Sequence, residues 1–247
     1  MNRQLAALTL ALTLLVPSMA MCTPMNNQDI LNAADESRGN IKGISWQVHV
    51  ESVEGKYTDS MTYEIKARGF DVAGINLEPP KLKGNKLLML DRNMWFHKPG
   101  LSKPVPISQR QRLMGNASYG DIAATNYASD YAPTRLKDEI IDGIDCYVFD
   151  LESEAKNTTY DRIKYWVAKD QLIGIKAEYY TLSGKRIKSA RMDYENTVTI
   201  DGVKRPFISK ISIFQELVGT DVTTLTLTRP QLAELPDYVF NLNLFMQ

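Results

Sequence analysis

The stretch LLMLDRNMWFHKPGLSKPVPISQRQRLMGNASYGD, residues 87–121, decides the fold of this chain. It begins with an apolar run over residues 87–90, turns at residues 91–93 and returns over residues 94–97. Two short apolar runs joined by turn residues predict a β-hairpin. The chain then continues through two proline-containing segments, so a strand gives way here to a loop.

Residues 108–127 predict two short helices after that loop. Ser108 is followed three residues later by a glutamine, a capping-box pattern, and Gly115 is placed to end the helix that this pattern opens. Ser118 is followed three residues later by an aspartate, which predicts a second helix over residues 122–127. We therefore expect this segment to lay helices across one face of a sheet.

The rest of the chain predicts a mainly β fold. Residues 27–38 are amphipathic and end before Gly39, which predicts a helix that packs on the sheet. Alternating patterns between turn residues predict strands over residues 44–51, 57–68, 74–77, 87–90, 94–97, 133–137, 144–152, 160–169, 172–180, 185–195, 207–216 and 222–228. An apolar tail over residues 232–245 must dock on them.

A single antiparallel sheet of this size curls, splits or flattens. The predicted helices are too few to form a complete second layer. We therefore expect one strongly curved sheet, an unclosed half-barrel capped by helices, formed by a single domain over residues 21–247. All-β domains of this length are common.

Residues 1–20 are predicted to be a secretory signal peptide. One arginine precedes the apolar residues 5–16, and small residues occupy both positions that the signal peptidase reads. The apolar run is shorter than the ~20 residues of a spanning helix. Lipid anchoring through Cys22 is the less favoured alternative, because Met21 stands where a lipobox has a small residue. We expect an exported, periplasmic protein.

The charge balance and the cysteine content argue against several classes of protein. The chain has 29 basic and 29 acidic residues, a formal net charge of +0, so nothing attracts it in general to nucleic acid or to an anionic membrane. Its two cysteines, Cys22 and Cys146, do not make a disulfide framework. Export permits a bridge between them, and both the bridged and the free states stay open.

The sequence contains no set of residues typical of an enzyme. The two histidines, His49 and His97, are interpreted as solvent-facing strand residues. No nucleophile elbow, zinc-binding H-E-x-x-H or phosphate-binding glycine loop occurs. Residues 142–145, DGID, are interpreted as a turn, because the other calcium-loop positions are absent. We expect no catalysis, no metal and no cofactor.

Large apolar side chains are numerous for strands with so few covering helices. Aromatic residues on strand faces usually form core, but a curved sheet under sparse helices can also leave an apolar hollow for a ligand. Methionine would let its lining adapt to varied ligands. The candidate lining residues are Trp46, Val48, Met61, Tyr63, Met94, Phe96, Leu113, Met114, Tyr165 and Tyr179. A lid running from Ser108 to Tyr127, flanked by proline and glycine, would open and close over them.

Short motifs also follow one another along the chain in a recognisable order. They are EPP at 78–80, KG at 83–84, NMWF at 93–96, IS at 107–108, RLMG at 112–115, YGD at 119–121, YVFDL at 147–151, YDRIKYWV at 160–167, GK at 184–185 and LPDYVF at 235–240. Each is weak alone, but their order resembles the LolA-like family of outer-membrane lipoprotein-sorting proteins. The resemblance covers most of the chain after the leader.

The resemblance implies a half-barrel with an apolar cavity between sheet and helices. It implies a monomeric periplasmic carrier that shuttles lipoprotein acyl chains or lipids across the envelope, from an inner-membrane exporter to an outer-membrane acceptor. In that family an arginine holds the closed state, and Arg68 is the nearest candidate here, although its flanking residues do not match. The alternative is a non-transport sensor or interaction module that binds a membrane-protein partner or a lipid exporter.

Overall fold

The computed structural model of the protein describes residues 25–123, 126–215 and 221–245; the predicted signal peptide and Cys22 lie outside them. The helices are α1 Asn27–Glu36, α2 Tyr119–Ala123, α3 Tyr127–Asp130 and a 3-10 helix, Asp237–Phe240. The first nine strands are β1 Ile44–Glu54, β2 Tyr57–Arg68, β3 Asp71–Glu78, β4 Lys86–Leu90, β5 Asn93–His97, β6 Val105–Ile107, β7 Arg112–Met114, β8 Ala117–Ser118 and β9 Tyr131–Arg135. The others are β10 Glu139–Ile141, β11 Ile144–Ser153, β12 Arg162–Ala168, β13 Gly174–Tyr180, β14 Arg186–Asp193, β15 Asn196–Ile200, β16 Val203–Phe207, β17 Lys210–Gln215 and β18 Val222–Leu232.

Fourteen of these strands form one antiparallel sheet. Its order is β10-β11-β12-β13-β14-β17-β18-β1-β2-β3-β4-β5-β6, and β9 also pairs with β11. Strand β1 pairs with β18 in the middle of the sheet, so the two ends of the described chain meet there. Strands β7 and β8, and strands β15 and β16, form two small hairpins. The sheet is not closed into a barrel, which confirms the predicted half-barrel.

Two-residue turns set the pairing of the short hairpins. Asp91 and Arg92 join β4 to β5 with φ values of 41° and 67°, and Asp201 and Gly202 join β15 to β16 with 50° and 78°. Positive φ at both central residues matches the twist of antiparallel strands. The hairpin predicted from residues 87–97 is therefore present, with bounds within one residue of those expected.

Alternation along the strands separates an inner face from an outer face. The inner face carries the main core, to which β1 contributes Ile44, Trp46, Val48 and Val50, and α1 contributes Ile30, Leu31 and Ala34. The outer face carries a smaller cluster that includes Cys146, Val148 and Trp166. Trp95 also lies on the outer face, because it is paired with Leu88 between the inner residues of β4. Each apolar side chain buried in the core contributes about 1.5–3 kcal/mol.

Residues 233–245 dock on the outer face beside β3 and β4. Lys86 Nζ donates to the carbonyl oxygen of Phe245 at 2.9 Å, and the rings of His97 and Phe245 lie 6.4 Å apart. His97 is buried there, with Nε2 3.0 Å from the carbonyl oxygen of Leu101. The interpretation of His97 as solvent-facing is therefore wrong, because the docked tail covers it.

The helix predicted over residues 108–115 is also wrong. Ser108 Oγ accepts the N–H of Arg110 at 3.2 Å, and the carbonyl oxygen of Ser108 accepts the N–H of Gln111 at 3.0 Å. A serine that bonds its own neighbours in this way favours a turn as readily as a helix start. The chain then forms the β7–β8 hairpin around Gly115, whose φ is 52°.

The second predicted helix, residues 122–127, is displaced along the chain. The Ser118 N–H donates to Asp121 Oδ2 at 2.7 Å, so α2 already begins at Tyr119. A separate helix, α3, follows at Tyr127–Asp130. The capping pattern therefore indicated a helix, but the predicted start is three residues too late.

None of the helices in the described part of the chain is both long and apolar enough to cross a membrane. Within the same residues, no group of three metal-ligating side chains converges.

Candidate functional site

Residues 108–123, here called the covering segment, lie on the inner face of the half-barrel. Ala117 and Ile122 are buried in the main core, and Leu113 and Met114 pack against it. The apolar side of the segment therefore rests on the apolar lining of the sheet.

Two glycines allow this close approach. A Cβ atom at Gly115 would lie 2.0 Å from Ser52 Oγ and 2.3 Å from Thr223 Oγ1, and a Cβ at Gly120 would lie 1.9 Å from Thr159 Oγ1. Real Cβ atoms do not approach other atoms so closely. Any larger residue at these positions would push the covering segment away from the sheet.

Polar bonds hold the covering segment to the rim of the half-barrel. The Asn116 N–H donates to Thr223 Oγ1 at 2.7 Å. Gln109 is buried and accepts a bond from Thr159 Oγ1 at 3.0 Å. Arg110 forms an ion pair with Asp161 at 2.7 Å. Such bonds each contribute about 1 kcal/mol to stability.

Lys188 connects the covering segment to the sheet beneath it. It points inward from β14, and its Nζ donates to the Asn116 carbonyl oxygen at 2.8 Å, to Ser118 Oγ at 3.2 Å and to Asp121 Oδ2 at 3.1 Å. Asp121 also accepts the hydroxyl of Tyr160 at 2.5 Å. The Lys188 and Asp121 side chains are only 10% and 5% exposed, so this is a buried ion pair.

A second buried polar cluster lies where α1 meets α3. Asp35 Oδ2 accepts the N–H of Ala128 at 2.8 Å, while Asp35 Oδ1 is 4.0 Å from Arg38 Nη1. The Arg38 guanidinium stacks over the ring of Tyr127, 4.2 Å from its centroid. The hydroxyls of Tyr127 and Tyr179 are 3.4 Å apart. Side chains from both helices and the sheet therefore meet around one buried cation.

A small cavity adjoins this cluster under the covering segment. Its volume is about 20 Å³, enough for roughly one water molecule. Its lining residues are Arg38, Trp46, Val48, Asp121, Ile122, Ile208, Ile211, Leu225 and Leu227. The side chains around it therefore leave little open space under the covering segment.

A much larger hollow lies elsewhere, at one end of the half-barrel. This open groove of about 1210 Å³ is bordered by the turn after α1, the β15–β16 turn and the start of the C-terminal tail. None of the ten predicted lining residues borders it. Trp46 and Val48 border the smaller cavity instead, so we place the candidate site there, under the covering segment.

The structure brings the predicted lining residues onto one face. Seven of them are buried in the main core, namely Trp46, Val48, Met61, Tyr63, Met94, Tyr165 and Tyr179. Leu113 and Met114 pack against that core, and Phe96 is half-buried with its ring 6.3 Å from Tyr119. Only Trp46 and Val48 of the ten border the cavity. The ten predicted residues therefore lie on one apolar face, where most of them pack within the same core.

The residues predicted to bound and hold the lid lie in three different places. Ser108 is at the turn before β7. Tyr127 is buried beside Arg38. Arg68 is at the end of β2, where Nη1 donates to the Leu235 carbonyl oxygen at 2.9 Å and to Asp237 Oδ1 at 2.8 Å. Arg68 thus contacts the C-terminal tail on the outer face.

The sequence analysis did not identify the charged residues that are buried in the interior. Lys188 lies on the same face of β14 as the buried Ala190 and Met192, so a charge at an inward strand position was the available indication. Asp35 is in the last turn of an amphipathic helix and Arg38 lies two residues after its end, where charged residues are usually solvated. Nothing in their spacing distinguishes them from surface residues.

The charge state of Asp35 gives the protein a testable pH dependence. Burial raises the pKa of Asp35 to about 7, although Arg38 and the backbone N–H groups oppose the shift. Because the pKa is higher in the folded state, the stabilisation is complete below pH ~4 and is lost as pH rises towards 7. We expect wild type to lose up to about 4 kcal/mol over this range relative to Asp35→Asn.

Urea denaturation of both proteins at several pH values measures this difference. The difference in stability between wild type and Asp35→Asn isolates the contribution of Asp35, because both proteins share all other carboxylates. Glu178, for example, has a lowered pKa, so its effect on stability has the opposite sign. Ser129→Ala on α3 is the control, because it removes no titrating group. A constant difference between wild type and Asp35→Asn from pH 4 to 8 would contradict the prediction.

Comparison with known proteins supports the same architecture. A family described as "Uncharacterized protein" matches residues 74–246. A LolA superfamily protein from Nitrosomonas europaea is 32% identical, with a TM-score of 0.77 over 87% of this chain and 96% of that chain. None of the curated proteins matches the chain in sequence.

Two more distant solved structures share the fold. A DUF1329 family protein from Desulfovibrio piger is 20% identical, with a TM-score of 0.73 over 87% of this chain and 95% of that chain. A domain described as an outer-membrane lipoprotein-sorting protein, from Vibrio parahaemolyticus, is 17% identical, with a TM-score of 0.76 over 89% and 98%. The half-barrel, its covering segment and the 32% identity to the Nitrosomonas protein over nearly all of that protein's length confirm the predicted resemblance: this chain belongs to the LolA superfamily.

Proposed function

We propose that the protein is a periplasmic carrier that binds the acyl chains of lipoproteins or lipids between the covering segment and the inner face of the half-barrel. The observation that carries this proposal is the way the segment is held. It lies on an apolar face, yet much of its attachment is polar, through Lys188 and the rim bonds of Gln109, Arg110 and Asn116. Polar attachments can be released without unfolding the sheet below.

The energetics fit a carrier that is closed when empty. An acyl chain gains about 0.8 kcal/mol for each methylene that it buries. A chain of moderate length would therefore offset the few kcal/mol needed to break the polar bonds and to separate the segment from Trp46 and Val48. When the cargo leaves, the same side chains would close over one another again.

The setting of the proposed carrier follows from its leader and its relatives. The predicted signal peptide would export the protein, and one relative of the same fold is described as an outer-membrane lipoprotein-sorting protein. We infer that the protein acts as a monomer, takes its cargo from an inner-membrane exporter and gives it to an outer-membrane acceptor. The protein would transfer its cargo without catalysing a chemical reaction.

Purification from a bacterial periplasm without detergent tests the carrier function. We expect native mass spectrometry to show a bound lipid or acylated peptide, which solvent extraction then identifies. The stripped protein should take up a fluorescent fatty acid with a micromolar or lower Kd. A clean apo mass together with no uptake would refute the carrier function.

The small size of the cavity favours one alternative. Because about 20 Å³ is open under the covering segment, the aromatic residues can be read as ordinary core. The protein would then be a sensor or interaction module that uses an outer surface to bind a membrane-protein partner or a lipid exporter. The same purification separates the two candidates, because a module of this kind would co-purify with protein and carry no lipid.

A further inference from the structure

We propose that Arg38 is the head-group site for a carboxylate, so that the preferred ligand of the cavity is a free fatty acid bound with its head inward. This inference rests on the proposed carrier function and names the class of its cargo. It begins from a buried cation whose hydrogen-bonding capacity is not used.

Arg38 is 5% exposed, and its Nε and Nη1 atoms have no hydrogen-bond partner among the described residues. Leaving a buried charged donor unpaired costs several kcal/mol. The nearest carboxylate, Asp35, stands 4.0 Å from Nη1, beyond hydrogen-bond distance. Two donors of a buried guanidinium are therefore unpaired, and the nearest acceptor, Asp35 Oδ1, also has no hydrogen-bond partner among the described residues. A ligand acceptor placed between them could take the bonds that Asp35 is too far away to accept.

The surroundings of Arg38 hold the guanidinium in place without satisfying it. The guanidinium carbon lies over the ring of Tyr127, 4.2 Å from its centroid. Tyr165 packs edge-on against Tyr127 at 5.2 Å, and its own buried hydroxyl also lacks a partner among the described residues. A second donor thus lies in the same cluster as the free nitrogens of Arg38.

The cavity beside Arg38 is suited to the rest of the ligand. Apart from Arg38 and Asp121, its lining is apolar and includes Trp46, Val48, Leu225 and Leu227. A carboxylate on Arg38 would place its hydrocarbon chain along these residues, beneath Ile122 of the covering segment. Opening of that segment would supply the length that the closed cavity lacks.

Three features favour a carboxylate over other heads. Arginine and a carboxylate form paired, charge-assisted hydrogen bonds that match in geometry. Because the cavity beside Arg38 has room for roughly one water molecule, a small head such as a carboxylate needs less rearrangement there than a glycerol phosphate. Burial also raises the pKa of Asp35 to about 7, which lowers the competing negative charge beside Arg38 near neutral pH. The ester and amide groups of lipoprotein acyl chains offer carbonyl acceptors but no negative charge to pair with the cation.

Displacement of a fluorescent fatty acid by matched ligands tests the inference. At pH 7, we expect palmitate to bind wild type at least tenfold more tightly than methyl palmitate, which has the same chain and no charge. Arg38→Met should reduce this ratio to about one while still binding methyl palmitate. Arg205→Met, at an exposed arginine paired with Glu36, is the control and should keep the wild-type ratio.

A measurement on wild type keeps the test valid if Arg38→Met does not fold. The ¹⁵N resonance of the Arg38 Nε–H, assigned with Arg38→Lys, should shift with palmitate and stay in place with methyl palmitate. Equal affinities for the two ligands in wild type, or an unshifted resonance with palmitate bound, would overturn the head-group site and leave the carrier function standing. Binding of lysophosphatidate more tightly than palmitate would overturn the carboxylate assignment. Failure of every ligand to bind would refute the carrier function and this inference with it.

Discussion

Replacing Lys188 by methionine is expected to lower the free energy of unfolding by about 3–5 kcal/mol, the usual cost of breaking a buried ion pair. Methionine fills a similar volume, so the loss reports the charge and its bonds. The variant would leave Asp121 buried without its cation and would free the carbonyl oxygen of Asn116. Urea denaturation at pH 7 measures the loss.

The matched control is Lys210→Met, at an exposed lysine on the neighbouring strand β17, which should change stability by no more than ~0.5 kcal/mol. The double variant Lys188→Met/Asp121→Asn should recover more than half of the loss, because no unpaired charge remains. Hydrogen exchange of the Asn116 amide should accelerate in Lys188→Met. A single-variant loss no larger than that of the control would show that Lys188 does not hold the covering segment.

Locking the covering segment with a disulfide is expected to abolish lipid uptake. Gly120 and Thr159 are the best pair, because a Cβ at Gly120 would lie 2.9 Å from Thr159 Cβ. Disulfides place the two Cβ atoms about 3.8 Å apart, so a shift below 1 Å closes the bond. In the oxidised variant Gly120→Cys/Thr159→Cys, we expect uptake of a fluorescent fatty acid to fall more than tenfold.

Each locked sample provides its own control, since reduction of the engineered bond should restore uptake. The single variant Thr159→Cys should load lipid under both redox conditions. If the oxidised double variant took up lipid at the wild-type rate, the ligand would enter by a route that does not need the covering segment to move. The cavity under α2 would then lose its role as the entrance.

Much of the half-barrel could be predicted, because strand patterns and turn residues are local. The bounds of β2 were predicted to the residue, and those of the β4–β5 hairpin to within one. The β15–β16 hairpin was missed, since the strands predicted over residues 185–195 and 207–216 left residues 196–206 unassigned. Five-residue strands carry too few alternations to be recognised from the pattern.

The covering segment was mispredicted for a different reason. Capping patterns describe only the first turn of a helix, and Ser108 satisfies its bonds equally well in a turn. The β7–β8 hairpin is stabilised from outside, through Thr223 and Lys188, more than a hundred and about seventy residues further along the chain. Contacts between residues so far apart in the sequence cannot be recognised from a local sequence pattern. For the same reason Arg38 and Lys188 were not among the predicted site residues.

The three tryptophans are divided between the two faces of the sheet. Trp46 borders the inner cavity and meets Phe207 edge-on at 6.0 Å, whereas Trp95 and Trp166 lie on the outer face. With Trp95 and Trp166 changed to phenylalanine, indole emission would come from Trp46 alone. Its wavelength and its quenching by a brominated acyl chain would then follow loading and release in real time, in the unlabelled protein.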